Sequence, residues 1–191
     1  MSSESKLSLS AQSIDNAEPN AKPILDKALE QVGFIPNMYG LMVNSPGLLD
    51  TYLHGYKLFR EQSGFTPAEQ EIVFLAISYE NNCHYCVAAH SMIADKMSNV
   101  PAEAIQAIRD GAAIPDAKLQ ALNVMTTKMV ETRGNPSKQD INEFLAAGYS
   151  EKHALEIVLA IAVKTISNYS NHLFNTPVDD MFSEYAWQQK Q

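Results

Sequence analysis

The four residues Thr66-Pro67-Ala68-Glu69 are a complete helix start. Threonine at the N-cap bonds forward to the third helical residue, a glutamate there bonds back, and proline at the first position lacks only an N–H that has no intrahelical partner. Comparable signals recur along the chain. Ser45-Pro46 opens a pattern that runs to about Gln62, before Gly64, and Pro23 opens one through Gln31, before Gly33. Gly111, Gly134 and Gly148 stand where C-terminal caps fall. The helix begun at Pro67 runs to about Glu80 and shows an apolar stripe of Ile72, Val73, Leu75, Ala76 and Tyr79. Asn81-Asn82 then interrupts, and a second helix, capped by Asn82, is expected from about Cys83 to Met97. Further helices are expected over 101–110, 115–133, 138–147, 151–164, 167–174 and 178–189. Strand signals are nearly absent, so the chain reads as all-α with short connections.

The 191 residues suffice for one substantial domain, and 46% apolar content excludes wholesale disorder. Residues 1–20, rich in Ser, Ala and Asn, are expected to form a flexible N-terminal arm, leaving 21–191 as a single domain. A net charge of −8 with no basic stripe excludes nucleic acid as a partner. The N-terminus has no apolar segment after a basic start, and the longest aliphatic run, 157–163, stops at Lys164, too short for a bilayer. A cytoplasmic protein without a membrane partner is expected.

Sliding the chain by 84 positions places Gly64-Phe65-Thr66 on Gly148-Tyr149-Ser150, and Cys83-His84-Tyr85-Cys86 on Ser167-Asn168-Tyr169-Ser170. This suggests an internal duplication of a helical unit. The active copy would cover about 34–100, and a second copy without cysteines about 115–177.

Both cysteines of the chain lie in NNCHYCVAAH, residues 81–90, spaced C-x-x-C with His90 four residues on. In a reducing compartment that spacing reads as redox or metal chemistry. On one helix face, Cys83 and Cys86 would have Cβ atoms about 5–6 Å apart, and modest adjustment would close a disulfide. Ionisation of the thiol has two sources of help, and they point to different cysteines. Cys83 would be nearest the helix N-terminus, whereas His90 is one turn from Cys86 and two from Cys83. Periodicity leaves both open as nucleophile and leans to Cys86. A histidine base needs an orienting carboxylate, for which Glu71 and Glu80 are the candidates. Zinc would need four ligands, and Cys83, Cys86 and His90 give three, with His84 facing away. Neither a metal nor any other cofactor is expected.

Glu71, eleven residues, C-x-x-C, three residues and His90 together resemble the signature of the AhpD-like alkylhydroperoxidase branch of the carboxymuconolactone decarboxylase family. The run FIPNMYGLMVNSPGLLDTYL, residues 34–53, resembles the segment before that signature in peroxidase-related members. The resemblance covers roughly 24–177. It implies an AhpD-like all-α fold and an antioxidant peroxidase acting on alkyl hydroperoxides. Cys86 would attack the peroxide, Cys83 would resolve the sulfenic acid to a disulfide, and His90 with Glu71 would relay the Cys86 proton. It also implies reduction by an external dithiol, either a dihydrolipoyl group or a thioredoxin-like protein, and a homo-oligomer, a trimer first and a hexamer second. One position departs from the family pattern. Where the best-understood members carry a relay histidine directly before the second cysteine, this chain has Tyr85, with the histidine at His84. A neutral tyrosine at that point can donate a hydrogen bond.

Two other functions fit parts of the pattern. One is a non-catalytic thiol redox switch or interaction module. The other is a carboxymuconolactone decarboxylase-type enzyme using His90 and Glu71 as acid and base, for which the cysteine pair has no use. His172 reads as structural or as a subunit contact, and Trp187 as a contact for a neighbouring subunit.

Overall fold

The computed structural model describes residues 4–189. Its helices are α1 (Lys22–Val32), α2 (Asn37–Met42), α3 (Pro46–Gln62), α4 (Pro67–Glu80), α5 (His84–Lys96), α6 (Ala102–Asp110), α7 (Ala117–Glu131), α8 (Lys138–Ala146) and α9 (Glu151–Phe174), followed by a 3-10 segment, Asp180–Tyr185. No strand occurs among the described residues, and the fold is all-α as the punctuation predicts.

The Thr66 capping box forms in full: Glu69 N–H donates to Thr66 Oγ1, and the Glu69 carboxylate accepts from Thr66 N–H. The helix that it starts is the centre of the molecule. Every residue from Glu69 to Ser78 is buried, so the single stripe read from the sequence is one face of a helix covered on all sides. The cover comes from α5, α6, α7 and α9. A helix enclosed in this way must be apolar all round or must pair its polar groups internally. Glu69 meets Lys118 Nζ at 2.9 Å and Tyr149 OH at 3.1 Å, and the Gln70 amide donates to the Arg60 and Phe65 carbonyls.

The core has two lobes. One gathers Phe59, Phe74, Ile77, Val87, Leu122, Met125 and Phe144 around α4 and α7. The other gathers Leu25, Met42, Leu49, Tyr52, Cys83 and Cys86 around α1–α3 and the start of α5. Tyr56 packs against both lobes.

Two expected elements need correction, and one helix went unread. The short helix α2 has no Ser, Thr, Asp or Asn at its N-cap, which is Pro36, so it carried no start signal. Helix α9 runs unbroken for 24 residues where the sequence suggested a break between 164 and 167. Thr165-Ile166 holds neither Gly nor Pro, and nothing there stops a helix once tertiary packing supports it. The C-terminal segment is 3-10 over Asp180–Tyr185 instead of an α-helix over 178–189. It is shaped by docking: Phe182 packs on Phe34 and Tyr85. Trp187 is likewise buried within its own chain, with Nε1 donating to the Arg109 carbonyl at 2.8 Å and the ring against Tyr79 and His84. It is not left free for a neighbouring subunit.

Residues 5–21 contain no helix and lie along the body. Lys6 N–H donates to the Leu173 carbonyl, Gln12 N–H to the Gly40 carbonyl, and Asn44 Nδ2 to the Ser10 carbonyl. Gly40 permits this approach, since a Cβ there would stand 2.8 Å from Gln12 O. Gly40→Ala is expected to push the arm off and to cost about 1–3 kcal/mol in chemical denaturation, with faster proteolytic cutting before residue 20.

Candidate functional site

The site begins with the way α4 stops. Asn82 adopts a left-handed conformation, φ 51°, which asparagine tolerates better than most residues. Cys83 N–H donates to the Ser78 carbonyl and Asn82 N–H to the Tyr79 carbonyl, a complete Schellman motif. Asn82 therefore ends α4 instead of capping α5. Cys83 becomes the N-cap of α5, which places Cys86 three residues into the first turn. The two sulfurs are brought together by this turn, and both cysteines are free and buried.

The two thiols are not equivalent. Burial opposes ionisation of both. At Cys86 that penalty is overcome by the Cys83 thiol donating to it, by the Lys164 ammonium, and by His90 and Ser167, which together hold it well below the usual thiol range. Burial and the neighbouring Cys86 push Cys83 well above that range. The Asn171 amide adds a donor, with Nδ2 3.3 Å from Cys86 Sγ and 3.8 Å from Cys83 Sγ. Cys86 Sγ also lies 3.8 Å from Ser167 Oγ. The arrangement favours ionisation at Cys86 over Cys83.

His90 Nδ1 is 2.8 Å from Glu71 Oε2, and the other carboxylate oxygen meets Arg60 Nη2 at 2.5 Å as a charge contact outside hydrogen-bond alignment. Burial raises the carboxyl of Glu71, but His90 and Arg60 outweigh it and keep the group ionised. Burial and the Lys164 charge lower the imidazole of His90 despite Glu71. A neutral ring whose Nδ1–H donates to Glu71 keeps Nε2 as its proton-accepting nitrogen. Arg60 is held in turn by Tyr56 OH at 2.6 Å and Gln70 Oε1 at 3.0 Å, and it lies over the rings of Tyr56 and Phe74.

Lys164 is fully buried, and its Nζ has no hydrogen-bond partner in the chain. A lone buried ammonium costs several kcal/mol unless an anion compensates it. With Arg60 balanced by Glu71, the Cys86 thiolate is the anion left for Lys164.

Cys86, His90, Arg60 and Lys164 line one cavity of about 570 Å³. Its walls are mainly apolar, with Phe34, Met38, Met92 and Phe182 beside the rings of Tyr39, Tyr52 and Tyr56, whose neighbouring centroids are 5.7–5.8 Å apart.

Of the candidate residues, Cys83, Cys86, His90 and Glu71 meet in this one place. Glu80 does not reach it; burial and Glu131 raise its carboxyl, and it borders a separate cavity beside α7. Tyr85 lines the 570 Å³ cavity, but its hydroxyl donates to Asp179 Oδ2 at 2.5 Å, and burial and that carboxylate push the phenol far above its usual range. His84 is exposed, as expected. Arg60, Lys164, Ser167 and Asn171 were missed. The last three share one face of α9 at spacings of three and four, the one signal that could have found them. Among the described residues, no group of three or more His, Cys, Asp or Glu side chains could hold a metal ion. Nor is any helix there long and apolar enough to cross a membrane.

The all-α fold that holds this buried C-x-x-C beside a histidine–carboxylate pair is AhpD-like. Residues 46–127, from α3 into α7, match the carboxymuconolactone decarboxylase family. This segment contains Arg60, Glu71, Cys83, Cys86 and His90, whereas Lys164, Ser167 and Asn171 lie beyond it. The chain is similar to an AhpD-core, uncharacterized peroxidase-related protein from Ralstonia eutropha JMP134, with 21% identity, 91% of this chain and 93% of that one covered, and a TM-score of 0.78. A peroxidase-related protein from Silicibacter sp. TM1040 is 17% identical over 93% of each chain, with a TM-score of 0.75. The debrominase Bmp8, in a cysteine-to-alanine variant complexed with 2,3,4-tribromopyrrole, is 17% identical over 95% of this chain and 97% of that one, with a TM-score of 0.76. No curated protein matches significantly.

Glu71→Gln leaves Arg60 without its counter-charge and is expected to cost about 3 kcal/mol in urea denaturation. Glu80→Gln, outside the cluster, is expected to stay within about 0.5 kcal/mol.

Proposed function

We propose that the protein is a thiol-dependent peroxidase that reduces organic hydroperoxides, with Cys86 as nucleophile and Cys83 as resolving thiol. The observation that carries this reading is the placing of the pair: Cys86 lines an apolar cavity that also holds the unpartnered Lys164 ammonium and His90, with the Asn171 amide 3.3 Å from its sulfur. These surroundings lower the Cys86 pKa, while burial raises that of Cys83. A thiolate is the form that attacks an O–O bond. The water-poor surroundings strengthen each electrostatic contact to it.

The Cys86 sulfur attacks the terminal oxygen of ROOH, the O–O bond breaks, and sulfenic acid and alkoxide form. The alkoxide leaves as ROH with a proton drawn from water, which His90 Nε2, with Glu71 holding Nδ1–H, accepts and passes on. The Cys83 sulfur then attacks the sulfenic sulfur, forms the disulfide and releases water. Two electrons have left the thiol pair, and an external thiol reductant restores them. The Tyr39–Tyr52–Tyr56 wall and the methionines favour an apolar R group.

A halogenated aromatic is the second reading, favoured by the flat aromatic walls and the fold likeness to a debrominase. Cys86 would take the halogen as a cation while the ring carbon gains a proton, and Cys83 would displace halide to form the same disulfide. Halide release from a bromopyrrole, requiring Cys86, would distinguish it from peroxide consumption.

With dithiothreitol as reductant, wild-type protein is expected to consume cumene hydroperoxide catalytically. Cys86→Ser should abolish turnover, and Cys83→Ser should accumulate a dimedone-reactive sulfenate at Cys86. Turnover retained in Cys86→Ser would overturn the reading.

Because the Cys86 pKa is depressed, its thiolate persists as pH falls below the ordinary thiol value of about 8.5 and is lost only below the lowered pKa. Peroxide reactivity should therefore stay level through neutral pH. Lys164→Met removes the counter-charge and shifts the fall in rate to higher pH, losing about tenfold at a fixed low pH for each unit by which the pKa rises. Thiolate absorbance against pH reads the same shift without turnover.

A further inference from the structure

The two cysteines border different cavities. Cys86 lines the apolar one, and Cys83 lines a second of about 540 Å³ between the start of α5 and the end of α9. Tyr85 is the one residue that lines both. The second cavity is the more polar of the two, bounded by Asn81, Asn82, His84, Asn171, His172 and Thr176, with Glu4 and Lys6 on the arm side.

Its lining carries unmet hydrogen-bonding capacity. Asn82 Oδ1, Asn171 Oδ1, His172 Nε2 and Thr176 Oγ1 are buried atoms without a partner in the chain, four of the eight such atoms among the described residues. Asn171 and Thr176 are only 4% and 9% exposed. Each buried unmet group costs about 1–3 kcal/mol, so their concentration here marks a surface shaped for a polar ligand. Two amide oxygens call for N–H donors, while the hydroxyl and imidazole can meet carbonyl or carboxylate oxygens. A mixed set of donors and acceptors of this kind suits peptide amides. The hydrocarbon chain of a dihydrolipoyl group would leave them unmet.

Size decides between a free peptide and a protein. A cavity of this volume suits a small molecule. Cys83 is buried at the inner edge of this cavity, so a thiol small enough to enter the cavity comes nearer its sulfur than a cysteine on the surface of a folded partner can.

We propose that the second cavity seats a small peptide thiol of the glutathione class, which reduces the Cys83–Cys86 disulfide by attacking Cys83. This rests on the cysteine-pair cycle proposed above and adds a separate entrance for its reductant. The peptide thiolate attacks Cys83 Sγ, the S–S bond breaks, and Cys86 leaves as thiolate. A second thiolate attacks the peptide sulfur of the mixed disulfide, releasing Cys83 as thiolate, which takes a proton, and the oxidised peptide dimer. Two electrons pass from two thiols to the protein. Attack at this sulfur is also the faster course, because the thiol with the lower pKa is the better leaving group, and that is Cys86. Substrate and reductant then reach the pair from separate cavities and do not compete for one.

The test uses full-length protein oxidised with diamide, so that no reactivity toward peroxide is required. Disulfide reduction is followed with glutathione, 2-mercaptoethanol and dihydrolipoamide at equal thiolate concentration, in wild type, Thr176→Val and His172→Phe. Glutathione is expected to be fastest in wild type and to slow by about fivefold in each variant, the effect of one lost hydrogen bond. The other two reductants, and oxidation by hydroperoxide, should be unchanged. Glutathione no faster than 2-mercaptoethanol, or variants that slow all three reductants alike, would overturn the proposal. In Cys86→Ser, oxidised glutathione should give a mixed disulfide at Cys83 by mass spectrometry, and its absence would count equally against the idea. A protein inert to hydroperoxide yet reduced preferentially by glutathione would refute the peroxidase and uphold the cavity.

Discussion

The ionised carboxylate of Glu71, buried at the centre of the most enclosed helix, is the constraint around which the site is arranged. A carboxylate without solvent survives there only because two groups from different helices meet it, Arg60 from α3 and His90 from α5. Each is held by the same contact that holds Glu71. The pairing thus locks three helices at a fixed separation and sets the imidazole tautomer. An apolar residue in place of Glu71 could pack α4 well, yet it would leave Arg60 unpaired and His90 unoriented.

The second charge pair depends on the first. With Arg60 and Glu71 mutually neutralised, the buried Lys164 has Cys86 as its counter-ion, and the thiolate gains the stabilisation that burial alone would deny it. One part of the site is therefore local, within the family segment, and the other comes from α9, about eighty residues later in the chain. The thiol chemistry needs both. A C-x-x-C in an apolar core without a nearby cation would remain two inert thiols.

The helix boundaries were legible where local chemistry sets them. The Thr66 capping box, Pro46 at its helix start and the C-capping glycines Gly33 and Gly111 stand where the sequence places them, because each acts through its own backbone neighbours. The cysteine pair and His90 were legible as well, since spacing within one helix carries most of their geometry, whereas spacing left Glu71 and Glu80 both open and only the family resemblance chose Glu71. Asn82 shows the limit. Asparagine favours both an N-cap and a left-handed C-cap, and which it serves follows from the Schellman bonds closing α4, outside the reach of residue preference. The 3-10 segment and α2 were hidden for a related reason: contacts with distant residues, such as Phe182 with Phe34, support them more than their own sequences do.

By itself the sequence determined an all-helical chain and a redox-capable cysteine pair with a histidine in phase, because capping, periodicity and spacing act within one or two turns. Tertiary structure decided which thiol ionises, which carboxylate serves His90, and which cavity each sulfur borders. Those outcomes turn on charge and burial summed over groups remote in sequence: Lys164, Ser167 and Asn171 on α9, Arg60 on α3. Electrostatic energy in a water-poor interior depends on distance through space. No local pattern around Cys83 and Cys86 could encode it.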